Sequence, residues 1–252
     1  MINKWLFLFL LTTSTCAESH QDDETKTDAL SAEIIMEKAY EKAGGEFWRR
    51  PQTLTLKGHA IFYKDGQSFK NERHYMWRVF ESTKEDAHTA TGKVRIESIR
   101  NGKPMILLTY DGENTYDLNG KQEKSDADQQ WASNFGYGAI RHVFDKGYTI
   151  EKIEDEVIKD KEAYMIKVTD PSGGESVFGI DQNDFSIVKV GFQSPRGWHE
   201  RIYSQFFQKE EYDWLQSGRV ELFYGGKLSN EVFWEDFEVN EVLPDSLFVL
   251  SE

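Results

Sequence analysis

Apolar and polar residues alternate through much of the chain. In residues 53–62, TLTLKGHAIF, Leu54, Leu56, Ala60 and Phe62 share one face with Gly58, while Thr53, Thr55, Lys57 and His59 share the other. A period of two predicts strand, because successive strand side chains point to opposite sides. In 74–80, HYMWRVF, both faces are bulky, with Tyr75, Trp77 and Val79 on one and Met76 and Phe80 on the other. In 230–237, NEVFWEDF, strict alternation sets Val232, Trp234 and Asp236 against Phe233, Glu235 and Phe237, and the run halts at Leu243-Pro244-Asp245. Strands with bulk on both faces predict a sheet with core beneath one side and a cover over the other.

Turn pairs punctuate these runs at Asp65-Gly66, Asn101-Gly102, Asp111-Gly112, Asn119-Gly120, Gly173-Gly174 and Gly225-Gly226. Such pairs supply the positive φ angles of tight hairpins, so an antiparallel meander is predicted. Two stretches follow a helical period instead. In DALSAEIIMEKAYEKAGG, Asp28 is the expected cap, Leu30, Ile34, Ile35, Ala39 and Ala43 form an apolar stripe, and Gly44-Gly45 is the stop. In SDADQQWASNFGYGAIRHVFDKG, Trp131, Phe135, Ala139 and Val143 recur at intervals of four and Gly147 ends the run. Gly136 and Gly138 weaken that second helix by roughly 1 kcal/mol each relative to alanine, which suits a movable cover.

The first 17 residues, MINKWLFLFLLTTSTCA, carry one charge at Lys4, an apolar run from Trp5 to Leu11 and small polar residues after it. That is a secretory signal pattern, too short to span a bilayer. Two cleavage positions are open. Cutting after Ala17 removes the only cysteine; cutting before Cys16 leaves it N-terminal for lipidation and an outer-membrane anchor. A bacterial lipobox places Leu three positions before the cysteine, where this chain has Thr13. Residues 18–27, ESHQDDETKT, read as a solvated tether, and 28–252 as one domain. The net charge of −14 disfavours nucleic acid and anionic bilayers as partners. Membrane contact is expected only through the N-terminal anchor.

The opening helix AEIIMEKAYEKAGG, the strand LTLKGHAIF, the meander containing YDGENTYDL and the closing FEVNEVLPDSLF together resemble the LolA/LolB-like superfamily of periplasmic lipoprotein carriers and outer-membrane lipoprotein-sorting relatives, over most of residues 29–250. The resemblance implies an α+β fold. Its sheet would be a strongly curved, mostly antiparallel half-barrel, with the N-terminal and mid-chain helices across an apolar concave face. It further implies non-enzymatic transport of a hydrophobic ligand, a lipid or lipoprotein acyl chain, with a lipoprotein client or envelope transport component as partner. Ligand-lining positions are expected at Leu56, Phe62, Trp77, Ile96, Leu107, Phe178, Phe192 and Trp234 on the sheet, and at Trp131 and Phe135 on the cover.

Enzymatic motifs are missing from the sequence. The six histidines form no His-Glu-x-x-His pair, and there is no Gly-x-Ser-x-Gly elbow, Gly-x-Gly-x-x-Gly or Gly-Lys-Ser/Thr loop, so no metal and no cofactor are expected. Carboxylates at Glu200, or at Glu235 with Asp236, are the nominees for a glycoside hydrolase. Trp198 and Tyr203 in SPRGWHERIYSQFF are the nominees for a carbohydrate- or protein-binding surface.

Overall fold

In a computed structural model of the protein, residues 30–80, 92–122, 138–194 and 196–250 are described. The signal and tether, Cys16, Asp28, Trp131 and Phe135 lie outside them.

Helix α1 (Ala32–Ala43) starts with Ser31 rather than the expected Asp28, the Ser31 side chain accepting from the Ile34 N–H, and ends at Gly44. Its inward face is Ile35, Met36, Ala39, Tyr40 and Ala43. Ile34, expected in the stripe, is 42% exposed, because the buried residues Ala32, Ile35, Met36, Ala39, Tyr40 and Ala43 form one helical stripe and Ile34 falls outside it. Burying each of those two side chains contributes about 1.5–3 kcal/mol. A short helix α2 (Gly45–Arg49) follows and turns Trp48 inward.

The strands are β1 (Thr53–Lys64), β2 (Gln67–Val79), β3 (Lys93–Arg100), β4 (Lys103–Tyr110), β5 (Thr115–Asp117) and β6 (Gly120–Lys121), then β7 (Thr149–Ile158), β8 (Lys161–Thr169), β9 (Glu175–Asp181), β10 (Ile187–Ser194), β11 (Gly197–Phe207), β12 (Gln216–Tyr224) and β13 (Lys227–Val239). Between the two sets lies helix α3 (Gly138–Arg141), and a 3-10 turn covers Asp245–Leu247. All strands join one curved, open antiparallel sheet in the order β6-β5-β4-β3-β2-β1-β13-β12-β11-β10-β9-β8-β7. The chain enters mid-sheet at β1, steps out to β6, reappears at the opposite edge with β7 and steps back until β13 pairs with β1. The fold is thus the expected α+β half-barrel with an N-terminal helix.

Asp65-Gly66, Asn101-Gly102 and Gly225-Gly226 all have positive φ at both positions, as two-residue hairpins require. The Lys159-Asp160 turn between β7 and β8, in the acidic stretch IEDEVIKDKEAY, lacks such a pair and is made with Lys159 itself at φ 59°.

Curvature comes from register shifts in several strand pairs, including β1 with both β2 and β13. Such bulges bend a sheet and increase its twist. At the first of them Lys57 pairs with Asp236 but Gly58 pairs with Trp234, leaving Glu235 as the extra residue. A Cβ on Gly58 would stand 1.8 Å from the Phe233 carbonyl oxygen, so only glycine lets the two strands approach there. Gly58→Ala is therefore expected to lower stability by about 2–3 kcal/mol, read as an earlier midpoint in urea unfolding. An unchanged midpoint would mean that the close approach does not constrain the sheet.

Candidate functional site

Cross-strand partners share a face, so register shows what points inward. Leu54, Leu56 and Gly58 of β1 stand opposite Arg78, Met76 and His74 of β2. Met76 in turn stands opposite Ile96, and Ile96 opposite Leu108. On the other side Leu56 pairs with Phe237 and Ala60 with Val232. The bulge at Glu235 changes the phase of β13, so Val232 and Trp234 face inward and so do Phe237 and Val239. Strict alternation had put Phe237 on the opposite side, and one inserted residue is sufficient to reverse that assignment.

The inner face is used in two ways. Over β8 to β10, Ile166, Val168, Phe178, Ile180, Val190 and Phe192 join Ile35, Met36, Ala39, Ile140 and Val143 in one buried core. Over β1, β2 and β11 to β13 the space is left open. A cavity of about 310 Å³ lies there, at the lower end of the range for small-molecule sites. Its floor includes Leu56, Phe62, Met76, Val220, Val232 and Trp234, with Ile96, Ile106 and Leu108 beyond. Trp48 of α2, Arg141 of α3 and Trp214 form its helical side.

Four of the sequence-expected positions, Leu56, Phe62, Ile96 and Trp234, come together on this cavity. Trp77 and Leu107 do not: Trp77 stands opposite Thr55 and Leu107 opposite Glu97, on the outer face, and their neighbours Met76 and Leu108 take the inner places. Trp77 instead packs against Tyr75 and the Arg95 guanidinium. Phe178 and Phe192 point inward but are 0% and 2% exposed within the core shared with α1.

Polar groups also enter the cavity: Arg78, Arg141, Arg201 and His74, with Ser186, Gln216, Ser217 and Asn230. The Arg78 guanidinium lies 4.3 Å from the centre of the Phe80 ring. Arg141 lies 4.2 Å from Trp48 and 5.3 Å from both Phe80 and Trp214, and its Nη1 donates to the Trp48 carbonyl. Arg49 Nε in turn donates to the Arg141 carbonyl at 2.9 Å, fastening α3 to α2. Cation–π contact holds a desolvated guanidinium by about 2 kcal/mol. A signal for Arg78 and Arg201 exists in the sequence. Arg78 shares parity with His74, Met76 and Phe80, and Arg201 with His199 and Tyr203, so each interrupts an otherwise inward-facing set.

Both inner-face histidines are neutral at pH 7. His74 stacks on Trp234 at 5.4 Å, and burial pushes its pKa down to about 4. His199 donates from Nδ1 to the Phe223 carbonyl at 2.8 Å, and Arg201 Nε donates to its Nε2 at 3.0 Å. A carbonyl can only accept and a guanidinium only donate, so the tautomer is fixed. Burial first, and the Arg201 charge second, bring His199 down to about 3.

The nominees for other chemistries are placed elsewhere. Glu200 pairs with Lys189 at 3.0 Å, Glu235 with His59 at 2.6 Å, and Asp236 with Lys209 at 2.6 Å; none lines the cavity. Trp198 is 39% exposed and lies over Gly191, whereas Tyr203 is 5% exposed and lines the cavity, so the two do not form one stacking surface. Among the described residues no group of His, Cys, Asp and Glu is placed to hold a metal, and no helix is long and apolar enough to cross a membrane.

The histidines set a pH dependence. Unfolded histidine titrates at about 6.5, above both native values, so the unfolded chain takes up protons first as the pH falls. Their contribution is complete above about pH 6.5 and is lost as the pH falls toward about 4 for His74. His74→Leu is expected to remove roughly 2–3 kcal/mol of the stability difference between those two pH values, measured as urea midpoints of variant and parent. Parallel pH profiles would contradict a buried neutral His74.

No protein-family model matches the chain, and no curated protein matches it. Solved structures do. A domain from Vibrio parahaemolyticus described as an outer membrane lipoprotein-sorting protein aligns with a TM-score of 0.55 at 11% identity, over 86% of this chain and 95% of that one. A DUF1329 family protein from Desulfovibrio piger aligns with a TM-score of 0.51 at 9% identity, over 87% of this chain and 98% of that one. A LolA superfamily protein from Nitrosomonas europaea gives 0.45 at 16% identity, over 88% and 99%. With its single curved antiparallel sheet and helix-covered inner face, the chain shares the fold of the Vibrio parahaemolyticus and Desulfovibrio piger structures.

Proposed function

We propose that the protein is an exported, non-enzymatic carrier or binding protein that holds a lipid or acyl chain in the cavity on the inner face of its sheet. The observation that carries this reading is the cavity itself: about 310 Å³ lined by Leu56, Phe62, Met76, Ile96, Val232 and Trp234, beside a region of the same face that the chain's own side chains fill. A monomer gains nothing in stability from leaving apolar space vacant; closing it would add dispersion contacts. The hollow therefore points to a guest. Each methylene it takes from water contributes about 0.8 kcal/mol, so an alkyl chain suits it better than a sugar.

Support also comes from the Vibrio parahaemolyticus domain of the same fold, described as an outer membrane lipoprotein-sorting protein. The N-terminal pattern of residues 1–17 supports export into the periplasm, with Cys16 as the residue that would take a lipid anchor. On this reading the partner is a hydrophobic ligand, free or attached to a lipoprotein client. Leu56, Phe62, Ile96 and Trp234 are the sequence-expected residues proposed to touch it, and Trp131 and Phe135 remain proposed contributions from the cover.

Organic extraction of protein purified from its native compartment, followed by mass spectrometry, is expected to yield acyl species, and the emptied protein to bind a fluorescent fatty acid. Leu222→Trp, which adds bulk to the cavity wall, is expected to weaken probe binding about tenfold or more while leaving the fold intact by circular dichroism. Extracts free of acyl species, with no probe binding, would overturn the proposal.

A further inference from the structure

One polar side chain of the cavity floor has hydrogen-bonding capacity that the described residues do not meet. His74 of β2 stands opposite Gly58, and Gly58 stands opposite Trp234 beside the bulge. Gly58 has no side chain, and the rings of His74 and Trp234 stack from either side of it with their centres 5.4 Å apart, while Phe62 packs at a steep angle to the imidazole at 6.3 Å. His74 is 8% exposed and lines the cavity, and its Nδ1 is buried with no hydrogen-bond partner among the described residues.

Other polar groups of the wall are committed to the protein itself. Gln216 accepts from Trp214 Nε1 at 3.1 Å and donates to the Ser217 carbonyl at 3.0 Å, the Ser217 hydroxyl donates to the Arg219 carbonyl at 2.7 Å, and Ser186 donates to Asp184. Arg141 donates to the Trp48 carbonyl and Arg201 to His199. Burial holds the His74 ring neutral, its pKa pushed down to about 4. It therefore has one donor and one acceptor nitrogen, and the partner decides which is which. A guest that takes the place of water beside such a group must reproduce water's hydrogen bond or bind more weakly. Hydrocarbon forms no such bond, and an ether or carbonyl oxygen only accepts. A hydroxyl both donates and accepts, so it serves the ring in either tautomer.

We infer that the guest carries a neutral hydroxyl on its alkyl chain and that His74 recognises it, the chain lying along Leu56, Met76, Val232 and Trp234. This inference rests on the proposed carrier function and specifies the ligand class of the same site. Because both partners are uncharged, the contact requires no ion to be desolvated.

The test compares two isomers, decan-1-ol and nonyl methyl ether, titrated below their solubility limits and followed through the intrinsic fluorescence of Trp48, Trp214 and Trp234, which line the cavity. A wall that makes no hydrogen bond to the guest favours the ether, which has no O–H to desolvate. The inference reverses that order. Decan-1-ol is expected to bind about threefold or more tightly than the ether, and His74→Leu to move the ratio of the two affinities about tenfold toward the ether. Ether binding as tight as alcohol binding, or tighter, in the parent protein would overturn the inference and leave the carrier function standing, even where the variant fails to fold. An alcohol preference unchanged in His74→Leu would assign the hydroxyl to another wall residue, such as Asn230 opposite Phe62, and overturn the role of His74. Failure of both isomers to bind where the fluorescent fatty acid does bind would also overturn the inference; failure of all three would overturn the carrier function itself.

Discussion

A single open sheet has no partner sheet to bury its inner face, and everything else in this structure follows from how that face is covered. In a sandwich, the side chains of two sheets interdigitate and fill the space between them. Among the described residues the cover is a few short elements, α1, α2 and α3, whose apolar residues reach only part of the concave surface. Where α1 lies over β8 to β10, a buried core forms. On the side of β1, β2 and β11 to β13, Trp48 of α2 and Trp214, 6.4 Å apart, line a hollow together with the sheet.

The hollow survives because its walls are fastened from outside. Its floor is the long β1, β2 and β13 ladder, closed in the middle of the sheet by the pairing of residues 54–62 with 230–239. Its helical side is tied by polar contacts: Arg49 holds the carbonyl of Arg141, the Leu215 N–H donates to the Ala43 carbonyl, and Tyr40 donates to the Ile140 carbonyl. Aromatic rings line the hollow, and Arg78 lies against Phe80 while Arg141 lies against Trp48, Phe80 and Trp214. Burial keeps His74 uncharged, so one polar residue enters the apolar region without a charge to desolvate.

The architecture was legible in the sequence to the extent that it was local. Hairpins at 65–66, 101–102 and 225–226 follow from backbone angles that those residue pairs favour, and α1 from its spacing and its glycine stop. The start of α1 was misplaced because Asp28 and Ser31 both suit a cap and only packing chooses between them. The site was less legible, since it depends on the phase of each strand and on which part of the face is filled. Trp77 and Leu107 were expected inside because large apolar groups occupy both faces of β2 and β4; register assigns Met76 and Leu108 instead. Phe237 was misassigned because nothing in NEVFWEDF marks Glu235 as the bulge. Phe178 and Phe192 face inward, but whether an inward residue meets core or cavity is decided by α1, far away in sequence. Arg141 lies on the cover, where strand parity gives no information.

The central claim is that this hollow, and no other part of the surface, receives an alkyl chain. A crystal structure of the protein with a terminally brominated fatty acid, collected at the bromine edge, tests it most directly. The account predicts an anomalous peak inside the space bounded by Leu56, Met76, Val232 and Trp234. A peak confined to the outer face of the sheet, or an inner space closed by its own side chains in the presence of bound ligand, would contradict it.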